Sequence, residues 1–288
     1  MIVPIRLSRQ FAELAVLHLG PELCETFMGT GEPAVYFELG GPMEEPLMGS
    51  RIGGLPILPV DAGWPAWIDD IEGTPRPLVC MAVLDLVQLS PYADVTGLPV
   101  DGTLTFLYAH DSELPPWGEP YQAPGWSVVH TPADSATQAL TPAGVTSWTP
   151  RALIPQWAVS YPIIEESYFV EHRPFSALVA AWDELRFGDG AAPSGIQTGG
   201  VPLRIQGDPR DEIDLHFGVE RTEVDGPSDW RLLLQLNADP RITEKLSTGG
   251  SSGGFDDWLD GQFSIYFFAK SDDLARGDLS NAWLISQR

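Results

Sequence analysis

The chain of 288 residues carries 16 basic against 40 acidic side chains, a formal net charge of −24, and 43% of it is hydrophobic. That is long and apolar enough for one large domain or two fused halves, and too apolar for a disordered chain. So negative a surface repels nucleic acid and anionic membrane alike; it reads first as a solubility device, and the sharper alternative is steering of a basic protein or peptide toward the molecule.

No run approaches the roughly 18 apolar residues of a membrane-spanning helix. The start, Met1-Ile2-Val3-Pro4-Ile5-Arg6, lacks the basic residues and long apolar core of a secretory leader, so the expected location is the cytoplasm. The two cysteines, Cys24 and Cys80, make no zinc site, and no disulfide between them is expected in a reducing compartment.

In chain order, residues 8–19 predict an amphipathic helix capped by Ser8, with Phe11, Leu14, Ala15 and His18 at helical spacing and Gly20 as its stop. Pro21 opens a second short helix through Phe27, and residues 34–39 read as the first strand. Residues 61–76, with Trp64 and Trp67 among turn formers and acids, read as a surface loop. The run Pro77 to Leu86 reads as a buried strand and Gly102 to Tyr108 as another. Residues 109–150 lack clear periodicity. A strand is expected from Ile154 to Tyr161 despite Pro155, and a helix over 176–187, capped by Ser176 and ended by Gly188. Gly188 to Ser194 is the expected joint between an N-terminal half, 1–188, and a C-terminal half, 189–288. Leu279 to Ile285 closes the chain as a strand.

One turn occurs twice. Gly53-Gly54-Leu55-Pro56 returns as Gly199-Gly200-Val201-Pro202, each a sharp turn feeding an extended segment. Each is followed by a buried run, Pro77 to Leu86 and Trp230 to Leu236, and then by an aspartate-glycine pair opening a second strand, at Asp101-Gly102 and Asp260-Gly261. The order predicts an internal duplication: an α+β, β-rich fold of two similar sheet-containing halves packed side by side, with a few helices.

The same ordered pieces, with Ser50-Arg51-Ile52 before the first turn, Ile205-Gln206-Gly207-Asp208 after the second, and Asn281-Ala282-Trp283 near the end, resemble the YwqG-like family of bacterial proteins (domain of unknown function 1963). The resemblance covers 50–108 and 195–288 and implies an α+β fold with two related halves, but no reaction. Some members are encoded near secreted toxin systems, which implies an immunity or accessory role. Val83 stands where the family often has glutamine, and Trp258-Leu259-Asp260 replaces a Trp-Gly-Asp-like turn, which makes the first half the degenerate copy if those polar positions matter.

For chemistry, Asp208, Asp211, Asp214 and His216 form the candidate metal cluster. On a strand, Asp214 and His216 would share a face, and the donor set would suit magnesium, manganese or calcium better than zinc. His172-Arg173 with Glu165, Glu166 and Glu171 reads as a charged surface group. Gly249 to Gly254 is followed by no Gly-Lys-Ser/Thr and reads as a surface loop, and no Gly-X-Ser-X-Gly elbow occurs. Gln206 and Gln235, polar within apolar strands, are expected near the interface or the cleft between halves, and Trp64 and Trp67 as loop-borne recognition aromatics. A non-enzymatic binding protein without a cofactor is the first expectation; a metal-assisted hydrolase is the second.

Overall fold

The computed structural model describes residues 1–44, 48–68, 73–110, 115–138, 142, 145, 147–162, 173–188, 195–220, 228–237 and 264–287. Strand β1 (Ile2–Pro4) leads into helices α1 (Ser8–Leu19) and α2 (Pro21–Met28), then β2 (Glu32–Pro42), β3 (Arg51–Ile52), β4 (Leu58–Pro59), β5 (Ala66–Ile68), β6 (Pro75–Pro77) and β7 (Val79–Asp85). Short helices α3 (Leu86–Leu89) and α4 (Ala93–Thr96) precede β8 (Thr103–Tyr108), β9 (Trp126–Thr131), β10 (Thr137–Gln138) and β11 (Arg151–Ser160). Helix α5 (Arg173–Gly188), β12 (Gln197–Thr198), α6 (Pro209–His216), β13 (Trp230–Asn237), β14 (Ser264–Lys270), α7 (Ser271–Arg276) and β15 (Trp283–Gln287) complete the described elements.

Eleven strands form one largely antiparallel sheet in the order β15-β14-β13-β12-β2-β11-β3-β7-β8-β9, with β1 added to β11. The sheet curls until its ends almost meet. Phe106 on β8 and Phe267 on β14 touch edge to face across the interior at 5.1 Å, and Trp126 on β9 lies 5.2 Å from Trp283 on β15. Inside this nearly closed barrel sits the main core, with Phe37, Ile52, Met81, Leu104, Phe106, Leu234, Phe267 and Leu284 all buried. Residues on both faces of β7, from Val79 to Leu84, are buried, because the core covers one face and outer segments the other. That is why the strand reads as an unbroken apolar run.

The halves are therefore not two sheets side by side. Strand β12, beyond the expected joint, pairs with β2 through Gln197 to Tyr36 and Thr198 to Val35, so one continuous sheet crosses the 188/189 boundary. The antiparallel β2–β11 pair is its centre: β3 joins β11 on one side and β12 joins β2 on the other. Outward from each, the steps run alike. Arg51 pairs with Val83 and Gln197 with Gln235. The register then breaks once, between Cys80 and Ala82 on β7 and between Leu232 and Leu234 on β13.

The first helices follow their signals. Phe11 and Ala15 are buried against Phe27, Tyr161 and Trp182, and Gly20 (φ 75°) ends α1, but Ser8 lies inside the helix rather than capping it. Residues 61–76 are not a plain loop: β5 and β6 pair there as a hairpin. The buried run ends earlier than expected, since Asp85 accepts from Val87 N–H and Gln88 N–H and starts α3. The expected joint at 189–194, the Glu165–His172 group, the glycine-rich 249–254 and the 258–260 turn lie outside the described residues.

Candidate functional site

After each glycine pair the chain crosses the outer face of the barrel as a strap, at residues 55–59 and 201–207. Both turns need glycine: Gly53 and Gly54 have φ of 67° and 75°, and Gly199 and Gly200 both 67°. The straps are held by side chains that act as peptide groups. Arg51 Nη2 donates to Leu55 O at 2.8 Å, and Gln197 Nε2 donates to Val201 O at 2.8 Å. Two residues on, Thr105 Oγ1 donates to Ile57 O at 2.8 Å, while Tyr266 Oη donates to Leu203 O at 2.6 Å.

The matching N–H groups are met differently. Leu203 N–H donates to Gln235 Oε1 at 2.8 Å, but Val83, which pairs with Arg51 as Gln235 pairs with Gln197, offers no acceptor. In its place Ile57 N–H turns to Thr105 Oγ1 at 3.3 Å, and Thr131 Oγ1 adds a bond to Ile57 O at 3.0 Å. Around Ile57 two threonine hydroxyls thus make the bonds that Gln235 and Tyr266 make around Leu203. On β15 the buried Gln287 takes the end of the second strap, accepting from Ile205 N–H at 2.9 Å and donating to Gly207 O at 3.0 Å.

Gln235 is consequently buried beneath the strap, and Gln206 is exposed upon it, its N–H weakly reaching Gln287 Oε1 at 3.4 Å. The two do not converge. The amides that share Gln235's task, Gln197 and Gln287, escape sequence reasoning; the signal that could have found them is an isolated glutamine in an apolar strand, at Gln197 beside Ile196 and Gln287 after Leu284-Ile285. Trp67 is buried and Trp64 half-buried, its indole N–H donating to Leu78 O at 3.0 Å, so both pack under the hairpin instead of facing solvent.

The expected metal cluster lies on a helix, which corrects the strand assumed for Asp214 and His216. On α6 residues two apart diverge by about 200°. Asp208 caps the helix, accepting from Arg210 N–H, and pairs with the Arg210 guanidinium at 2.8 and 3.0 Å. Burial pushes its carboxyl upward, yet Arg210 outweighs this and holds it below the usual range. Asp214 is buried, accepting from Trp230 Nε1 at 3.0 Å and Ser228 Oγ at 3.3 Å. His216 Nδ1 lies 3.5 Å from Glu119 of another segment, and Asp211 is exposed in the first turn. Asp208, Asp214 and His216 point to three separate partners. Among the described residues no group of three or more His, Cys, Asp or Glu side chains is placed to hold a metal ion.

The remaining feature is the seam where the sheet ends approach. The β15 edge is covered: Ser286 N–H donates to Trp117 O at 3.0 Å, and Gly118 packs so closely on Leu284 O that no side chain fits there. Across the seam, Trp126 Nε1 donates to Ala282 O at 3.0 Å. Beside it lies a cavity of about 220 Å³ lined by Ala66, Trp126, Ser127, Val128, Leu279 and Ser280 among others. Ligand and cofactor sites run to about 300–1,000 Å³, so this one has room for a side chain or two.

Among the described residues no helix is long and apolar enough to cross a membrane. A search of curated proteins finds no relative of this chain. The model of the family described as domain of unknown function (DUF1963) matches residues 50–287. It takes in both straps and the seam but leaves β2, central to the sheet, outside. The chain belongs to that family.

Proposed function

We infer that this is a non-enzymatic binding or accessory protein of the cytoplasm, in which the acidic exterior engages a basic protein or peptide; toxin immunity is one accessory role of that kind. The net charge of −24 carries the reading. Steering by such a field raises encounter rates with cationic partners and disfavours anionic ones. Support comes from the candidate chemical groups being committed to structure: Asp208 to Arg210, Asp214 to Trp230, His216 to Glu119.

The test is the affinity of a labelled arginine- and lysine-rich peptide across a salt series. Binding at low salt that weakens about tenfold or more by half-molar salt is expected, since the Debye length shrinks several-fold over that range. Equal affinity for a glutamate-rich peptide, or no salt dependence, would overturn it. Heat on titrating magnesium or calcium, lost in Asp214→Ala and His216→Ala, would instead favour the hydrolase built on Asp208, Asp211, Asp214 and His216.

The same reading includes an internal duplication of turn, strap and strands. It is supported by the paired positions 51 and 197, 83 and 235, 105 and 266, by the matching register breaks, and by straps held two residues apart by corresponding side chains.

A further inference from the structure

The pairing of β9 determines where its backbone groups point. Ala109 N–H bonds to Gly125 O, and those residues fall on the register that sets Leu107 opposite Ser127 and Thr105 opposite Val129. In an antiparallel ladder such bonded pairs alternate with unbonded ones. Ser127, Val129 and Thr131 therefore exchange bonds with β8, while the N–H and C=O groups of Trp126, Val128 and His130 turn away from it, toward the seam. β9 is the last strand of the sheet, and among the described residues those outward main-chain groups have no protein partner. Beside them lies the 220 Å³ cavity. The opposite edge is closed by residues 117–118, so the asymmetry is built in.

We propose that the outer edge of β9 receives an extended, lysine- or arginine-bearing peptide segment as an added strand, with one of its side chains in the cavity beside Trp126. An unpaired strand edge is a template for another chain. Two occupants would satisfy it, a second copy or a different chain, and charge decides between them. A second copy brings −24 against −24, whereas a basic segment is drawn in. Two exposed carboxylates add to this draw, one following the strand in sequence and one beside the cavity. Asp134 follows the end of β9, and Asp278, held low by the hydroxyl and amide of Ser280, stands at the turn lining the cavity. The proposal rests on the binding function inferred above and names its site.

The experiment uses the full chain and a short peptide alternating lysine with threonine, at low salt. Amide hydrogen exchange at Val128 and His130 should slow about tenfold or more on saturation. Methylating the peptide's alternate amide nitrogens should weaken binding about tenfold, since it removes the donors of the new ladder while keeping the charge. Ser280→Arg, at an exposed position, should weaken it similarly by repulsion and by filling the cavity mouth. Binding with unchanged exchange at Val128 and His130, and indifference to methylation, would overturn this site while leaving the basic-partner function standing. No binding at any salt would overturn both. A dimer in sedimentation with those amides protected would make a second copy the occupant and overturn the peptide.

Discussion

At the residue scale, distances separate positions that sequence treats as equal. Gly199 and Gly200 share a φ of 67°, but a Cβ at Gly199 would meet nothing nearer than 3.5 Å, whereas one at Gly200 would lie 2.2 Å from Ser160 Oγ and 2.8 Å from Ala34 Cβ. Ser160 cannot easily yield, because its Oγ accepts from Val201 N–H. Gly199→Ala should cost about 1 kcal/mol from backbone strain alone, and Gly200→Ala about 3 kcal/mol or more, by denaturant unfolding. The strap hydrogen bonds give a second pair. Thr105→Val strips the one acceptor from Ile57 N–H along with a donor to Ile57 O, and should cost about 2 kcal/mol; Tyr266→Phe leaves Gln235 on Leu203 and should cost about 1 kcal/mol. Equal losses would mean the straps are not held as described. The glycine turns were legible because only glycine tolerates those angles. The holding side chains were not, since what brings Thr105 to Ile57 is the pairing that sets it opposite Val83, which appears only once the strands form.

At the element scale, α6 shows why the acidic cluster misled. Aspartates at a helix start are capping and dipole residues, and Asp208 with Pro209 behind it is such a start. The alternation Asp-X-His also fits a strand, and only docking decides: Ile213 is fully buried against Trp230 and Phe268. The helix holds two carboxylates with opposite pH behaviour. Asp208, held low, contributes stability above the normal aspartate range, and that stability is lost as pH falls through its lowered pKa. Glu212 is the reverse. Burial raises its carboxyl despite the bond from Gln287 and nearby His216, so the fold binds its proton more tightly than the unfolded chain and loses stability as pH rises from about 4.3 through the raised value. Glu212→Gln should therefore gain stability relative to the parent as pH goes from about 4 to 7, whereas Asp208→Asn should lose it as pH rises to about 5 from below the ordinary aspartate range and stay level above that. Parallel pH profiles for the two variants would contradict these assignments.

For the whole molecule, the ordered strands and repeated turns were readable from apolar runs and glycines, but not their joining into one sheet. That joining depends on β2, whose short apolar core, Ala34 to Phe37, carries no mark of its central place between β11 and β12. The seam was equally hidden, because an open edge is a property of what fails to pair. Its consequence can be measured without any ligand. Hydrogen exchange along β9 in the free protein should alternate, with Ser127, Val129 and Thr131 amides protected by β8 and Val128 and His130 amides exchanging far faster. Uniform protection along the strand would mean that the edge is already paired and that no place remains there for a partner.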